Sequence, residues 1–115
     1  MNPADGLARL RAICPEFAGC WDAPDNLFRE DDGNYTIYGL FSEFSRYFRE
    51  HVASLDDSAL AALGKFITES MEQPGTDIDN AVATCFLENL AGNESLAALQ
   101  PFLGRTARDF LAQFD

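Results

Sequence analysis

The chain has one lysine and one histidine among its 115 residues, no paired Cys-x-x-Cys, and no glycine-rich phosphate loop. Each shortage removes a class of activity. With seven arginines and Lys65 as its whole cationic stock against 19 acids, it cannot build the clustered basic surface that neutralises phosphates. Nucleic acid and anionic membranes are therefore not expected as direct partners. The cysteines Cys14, Cys20 and Cys85 are odd in number and lack zinc-ligand spacing, which predicts free thiols in a reducing compartment. No stretch approaches the roughly 18 consecutive apolar residues of a membrane span. The first residues, with an early Asp5, do not read as a secretory signal. The expectation is a cytoplasmic protein, folded over 1–115 as a single helical domain.

What the chain does have is acid and aromatic carbon. Its formal charge is -11 and 47% of its residues are hydrophobic. From Thr76 to Gly92, Val82, Cys85, Phe86 and Leu90 keep the spacing of one helix face, and Ala83, Leu87 and Ala91 widen it. A helix apolar over most of its circumference belongs inside. Before it, Leu60, Leu63, Phe66, Ile67 and Met71 mark another helix, opened by the capping-box-like Ser54-Leu55-Asp56-Asp57 and closed by Pro74-Gly75. So short a turn makes the two helices antiparallel neighbours, and they are predicted to form the heart of the fold.

The other elements follow from similar signals. Asn2-Pro3 starts a first helix that Pro15 stops. Asn34 is the predicted cap of a helix with Ile37, Leu40, Phe41, Phe44, Phe48 and Val52 on its apolar face and Glu43, Arg46, Arg49 and Glu50 elsewhere. A short strand at Tyr35–Tyr38 is the competing reading, because Tyr35-Thr36-Ile37-Tyr38 favours extended backbone. Asn93 caps a brief helix through Leu96 and Leu99. Thr106-Ala107-Arg108-Asp109 opens the last one. The fold class is all-α: an irregular bundle of five or six helices around a buried central αα-hairpin.

Catalytic chemistry has little to work with. His51 falls at a helix end, where it suits the negative end of the dipole. Cys14 and Cys85 lie on apolar faces, leaving Cys20, beside Trp21, as the most plausible reactive thiol. Asp77 and Glu88 have the outer spacing of a calcium loop, but Val82 stands where that loop needs glycine, so calcium is rejected. Glu88 is expected at a polar edge, since an unpaired buried carboxylate is costly. No metal and no cofactor are expected, and the chain is not expected to be an enzyme.

Pro15 to Gly33 loses helical periodicity and gathers turn residues, with a possible helical turn at Asn26 to Glu30. It concentrates Asp22, Asp25, Glu30, Asp31 and Asp32, interleaved with Trp21, Phe28 and Tyr35. One reading is a solvated acidic loop whose aromatics anchor in the core. The other is a partner-binding surface of Trp21, Asp22, Asp25, Glu30, Asp31, Asp32 and Tyr35, in which carboxylates steer a basic partner and aromatics hold it.

Three local patterns carry a resemblance: Cys14-Pro15-Glu16-Phe17, Phe86-Leu87-Glu88-Asn89-Leu90 and Leu103-Gly104-Arg105-Thr106-Ala107-Arg108. Their order and spacing resemble a family of small, largely uncharacterised bacterial helical domains that includes immunity proteins of contact-dependent and other polymorphic toxin systems. The resemblance implies a cytoplasmic binder that occludes a cognate protein toxin. Acidity suits a basic toxin such as a nuclease. Two rival expectations are an acidic helical adaptor or regulatory module and a small hydrolase using acids or Cys20.

Overall fold

The structure, a computed structural model, describes residues 1–114. Helices α1 (Pro3–Ile13), α2 (Phe17–Trp21), α3 (Ile37–His51) and α4 (Asp57–Met71) come first. A helical rod follows, built from α5 (Asp77–Ala81), a π-helical turn (Val82–Leu87) and α6 (Glu88–Leu90). Then come α7 (Leu96–Leu99) and α8 (Arg105–Ala112), and short 3-10 turns at Val52–Ser54 and Gln100–Phe102 join neighbouring helices. No strand occurs among the described residues. The all-α fold class therefore holds.

Helix starts follow side-chain oxygens that capture free backbone N–H groups. Asn2 Oδ1 accepts from Asp5 N at 2.8 Å, with Pro3 at the first helical position, as its sequence predicts. Four caps lie elsewhere than predicted, one of them at α7, where Ser95 and not Asn93 is the N-cap residue and Asn93 Oδ1 accepts from Ser95 N at 2.9 Å. Thr36, not Asn34, caps α3, its Oγ1 accepting from Gly39 N at 3.0 Å. Asp56, not Ser54, caps α4, accepting from Ala59 N at 2.8 Å. α8 opens after Gly104, which places Thr106 inside the helix. At α3 and α4 several capping residues stand close together and a neighbour takes the role, whereas α8 starts at Gly104 with no side-chain cap. The competing strand at Tyr35–Tyr38 is replaced by an extended Thr36 that leads directly into α3.

The 77–90 rod returns beside α4 as expected, with glycines in left-handed conformation at both turns (Gly75 φ 80°, Gly92 φ 81°). Its principal partner, however, is α3. Phe86 meets Phe44 at 5.4 Å and Phe48 at 5.7 Å between ring centroids, and Phe44 meets Phe17 edge-on at 5.0 Å. Such aromatic pairs contribute about 0.5–1.5 kcal/mol each beyond their burial.

The π turn answers the unusually wide apolar surface of this segment. Adding a residue to a turn rotates the side chains that follow. Ala81, Val82, Ala83, Phe86, Leu87 and Leu90 are all buried. Asn89 supports the turn, its Nδ2 donating to the Cys85 carbonyl at 2.7 Å and to Ser45 Oγ on α3 at 3.3 Å. Glu88 remains exposed, at the polar edge predicted for it.

Candidate functional surface

α2 occupies the segment predicted as an irregular loop, at Phe17–Trp21 and not at Asn26 to Glu30. Phe17 and Trp21, one helical turn apart, both enter the core. Trp21 is only 2% exposed and packs edge-on against the half-buried Tyr35 at 4.8 Å. It thus offers no surface to a partner in this conformation. The two aromatics assigned to contact from sequence support the loop from beneath.

Above them the chain is pinned at nearly every step. Buried Asn26 donates from Nδ2 to the Trp21 carbonyl at 2.8 Å and accepts from Phe28 N at 3.0 Å. Arg29 donates to the Asp22 carbonyl at 3.0 Å. Glu30 N donates to the Asn34 carbonyl at 2.9 Å, and Gly33 N to the Glu30 carbonyl at 2.8 Å. Gly33 has φ 86°, which glycine adopts without the steric cost other residues meet. Both carboxylate oxygens of Asp32 accept from Asn34, one from its backbone N and one from Nδ2, each at 2.9 Å.

The five acids divide into two groups. Asp22 pairs with Arg11 on α1 at 3.4 Å, and Asp25 with Arg46 on α3 at 3.6 Å, so these two tie the loop to the bundle. Glu30, Asp31 and Asp32 have no cation partner among the described residues and are exposed. Arg46 also pairs with Glu43, which is 2% exposed although its sequence places it on a polar face. The hydrogen bond to Glu43 raises the Arg46 pKa and holds the guanidinium charged. The returning loop also brings Asp25 to Arg46 on this side of α3.

Two apolar side chains outside the predicted partner-binding set stand at the surface here: Leu27, 90% exposed, and Phe28, 44% exposed. Phe28 lies so close to α3 that a Cβ on Gly39 would stand 3.1 Å from the Phe28 Cβ. Next along α3 is exposed Tyr38, whose hydroxyl donates to Asp77 Oδ1 at 3.3 Å. Leu27 also borders an open hollow of about 660 Å³ with Pro24, Arg29, Glu30 and Asp31. Two adjacent apolar residues among turn formers were the available signal.

Cys14 and Cys20 are poorly placed for nucleophilic work. Burial pushes Cys14 up to about 11. Burial also raises Cys20, and among the charges that reach it Arg46 opposes Glu43, Glu50 and Asp25. Cys20 therefore lacks the electropositive setting of an activated cysteine. His51 lies against Tyr47 with ring centroids 4.9 Å apart, at the end of α3 where its sequence places it. No group of three or more metal-ligating side chains occurs among the described residues. In the native fold, Cys14 is expected to react with a small alkylating reagent far more slowly than the half-buried Cys20 and Cys85. Peptide mapping of timed labelling checks this order, and Cys14 labelling first would contradict it.

Fold and surface together define an all-helical domain that carries a pinned, acid-fringed apolar loop. Residues 7–114 match the family described as "Domain of unknown function (DUF7674)", and the chain belongs to that family. No curated protein and no solved structure matches it. Among the described residues, no helix is long and apolar enough to cross a membrane.

Proposed function

We propose that this protein neutralises a cognate bacterial toxin by stoichiometric binding in the cytoplasm of the producing cell, with no bond made or broken. The observation that carries this reading is the juxtaposition of exposed Leu27 and Phe28 with three carboxylates, Glu30, Asp31 and Asp32, that have no cation partner among the described residues. The turn is held by its own hydrogen bonds, so little ordering entropy is lost on docking. The carboxylates attract a basic protein over distance, while the apolar pair supplies short-range contact. The net charge of -11 strengthens that attraction and suits a cationic nuclease. In this reading Trp21 and Tyr35 hold the loop in shape, and Asp22 and Asp25 fix it to α1 and α3.

Co-expression with the product of the neighbouring upstream gene tests the proposal by growth rescue and co-purification. Rescue with a one-to-one complex is the expected outcome. A neighbouring product that is harmless yet co-purifies would overturn immunity in favour of an adaptor role.

A further inference from the structure

The exposed surface continues past the acidic turn. The loop crosses α3 where a glycine leaves room for it, since a Cβ at Gly39 would stand 3.1 Å from the Phe28 Cβ and 3.4 Å from the Phe28 carbonyl oxygen. Phe28 therefore lies one residue along α3 from Tyr38, and both residues are exposed. Tyr38 in turn reaches the first residue of the 77–90 rod, its hydroxyl donating to Asp77 Oδ1 at 3.3 Å. The loop, α3 and α5 thus meet at the first turn of α3.

Asp77 is not what holds the start of α5. Thr76 caps that helix, its Oγ1 accepting from Asp79 N at 3.3 Å, and Gly75 N donates to Asp79 Oδ2 at 3.2 Å. The Asp77 carboxylate takes part in neither bond. It is exposed and has no cation partner among the described residues. A carboxylate without a counter-charge is therefore held at the hydroxyl edge of an exposed aromatic ring, on the end of the bundle that also carries the apolar Leu27 and Phe28.

We infer that this surface seats one arginine side chain of a basic protein partner, its guanidinium stacked on the Tyr38 ring and donating to the Asp77 carboxylate. The inference rests on the reading of the acidic turn as a docking site for such a protein. A planar guanidinium makes both contacts at once, because its face lies on the ring while its N–H groups point outward in its own plane, toward the ring edge where Asp77 stands. A lysine ammonium is compact and strongly hydrated, and lacks that fork. A second copy of this chain, docked by the same face, would set Glu30, Asp31, Asp32 and Asp77 against themselves. The one cation of the loop, Arg29, is already engaged by the Asp22 carbonyl. A neutral apolar partner would desolvate these carboxylates with no counter-charge.

Dissociation of the complex with the upstream gene product, followed at fixed salt, tests this contact. Tyr38→Ala should raise the dissociation rate about fivefold or more and Asp77→Asn about threefold, whereas Tyr38→Phe, which keeps the ring, should change it by less than about twofold. Both positions are exposed, so the unfolding midpoints should match the wild type. If Tyr38→Ala unfolds, Asp77→Asn decides. Replacing each exposed arginine of the upstream product by lysine should reveal one whose loss weakens the wild-type complex and leaves the Tyr38→Ala complex unaltered. Wild-type dissociation rates in Tyr38→Ala and Asp77→Asn, with association still slowed in E30Q/D31N/D32N, would remove this contact and leave the acidic-turn reading standing. The absence of any partner arginine coupled to Tyr38 would likewise overturn the assignment. An upstream product that does not bind at all would overturn both.

Discussion

Replacing Gly64 with alanine is expected to destabilise the protein by about 3 kcal/mol, the upper end of the range for overpacking a close-packed core. Helix propensity alone points the other way, because Gly→Ala inside a helix ordinarily gains up to about 1 kcal/mol. The sign is therefore diagnostic. A Cβ at Gly64 would stand 2.7 Å from the Phe102 Cβ and 2.8 Å from its carbonyl carbon. The Phe102 backbone cannot retreat easily, because Leu103 is buried and Gly104 N donates to Thr68 Oγ1 on α4 at 2.9 Å. Gly104 is close for a related reason: a Cβ there would meet Thr68 Cγ2 at 2.6 Å. That clash involves a single methyl, so Thr68→Ser, which deletes it, should rescue much of the loss in Gly104→Ala. Urea unfolding of the single and double variants measures both effects. Against a typical total of about 5–15 kcal/mol, the Gly64 change should lower the midpoint conspicuously. A more stable Gly64→Ala would show that α4 and the 102–104 segment do not approach as described.

The second large effect is expected in association kinetics. Neutralising Glu30, Asp31 and Asp32 together, as E30Q/D31N/D32N, should slow association with the co-purifying partner about tenfold or more at low salt. The amide side chain at position 32 can still accept from Asn34 N, so the turn should survive and the unfolding midpoint should hold. D22N/D25N provides the contrast. Those carboxylates already face Arg11 and Arg46, and their loss should weaken attachment of the loop while leaving the rate of encounter nearly unchanged. Leu27→Ala should act on the dissociation rate, raising it about fivefold or more if this side chain seats in a partner pocket. Because Leu27 touches little of its own fold, the same variant should leave stability unaltered.

Residues 22–34 show where sequence reading runs out. In α1, α3 and α4, the 3.6-residue period tells which side chains face inward, and the turns at Gly75 and Gly92 follow from glycine's access to left-handed backbone. Between Pro15 and Thr36 no period exists to sort the aromatics. Trp21 and Phe28 look alike in sequence, yet one lies in the core and the other faces solvent. The spacing of Phe17 to Trp21, after Pro15-Glu16, was a legible sign of a helical turn that the density of turn residues obscured. Charge pairing was not legible at all, since Asp22–Arg11 and Asp25–Arg46 connect residues distant in the chain. The polar face of α3 was misjudged at Glu43 because amphipathicity describes one helix against one core. It does not anticipate a loop that returns across the opposite side.

The central rod illustrates a different limit. Its broad apolar circumference was visible, and so was its burial. The π turn was not, because periodicity assumes a constant angle per residue and the turn changes that angle locally. Asn89 makes better sense once the turn is known: its side chain reaches the Cys85 carbonyl within it and Ser45 across the interface. The local motifs have comparable physical roles. Cys14 closes α1, Gly104 permits the approach to Thr68, and Phe86 lies between Phe44 and Phe48. These roles concern folding.

The most direct measurement is the association rate constant of the wild-type protein and of E30Q/D31N/D32N with the upstream gene product, taken across a series of salt concentrations. Recognition by the acidic turn requires a wild-type rate that falls steeply as salt rises and a variant whose rate is both slower and nearly insensitive to salt. Equal rates with equal salt dependence for the two proteins would contradict it.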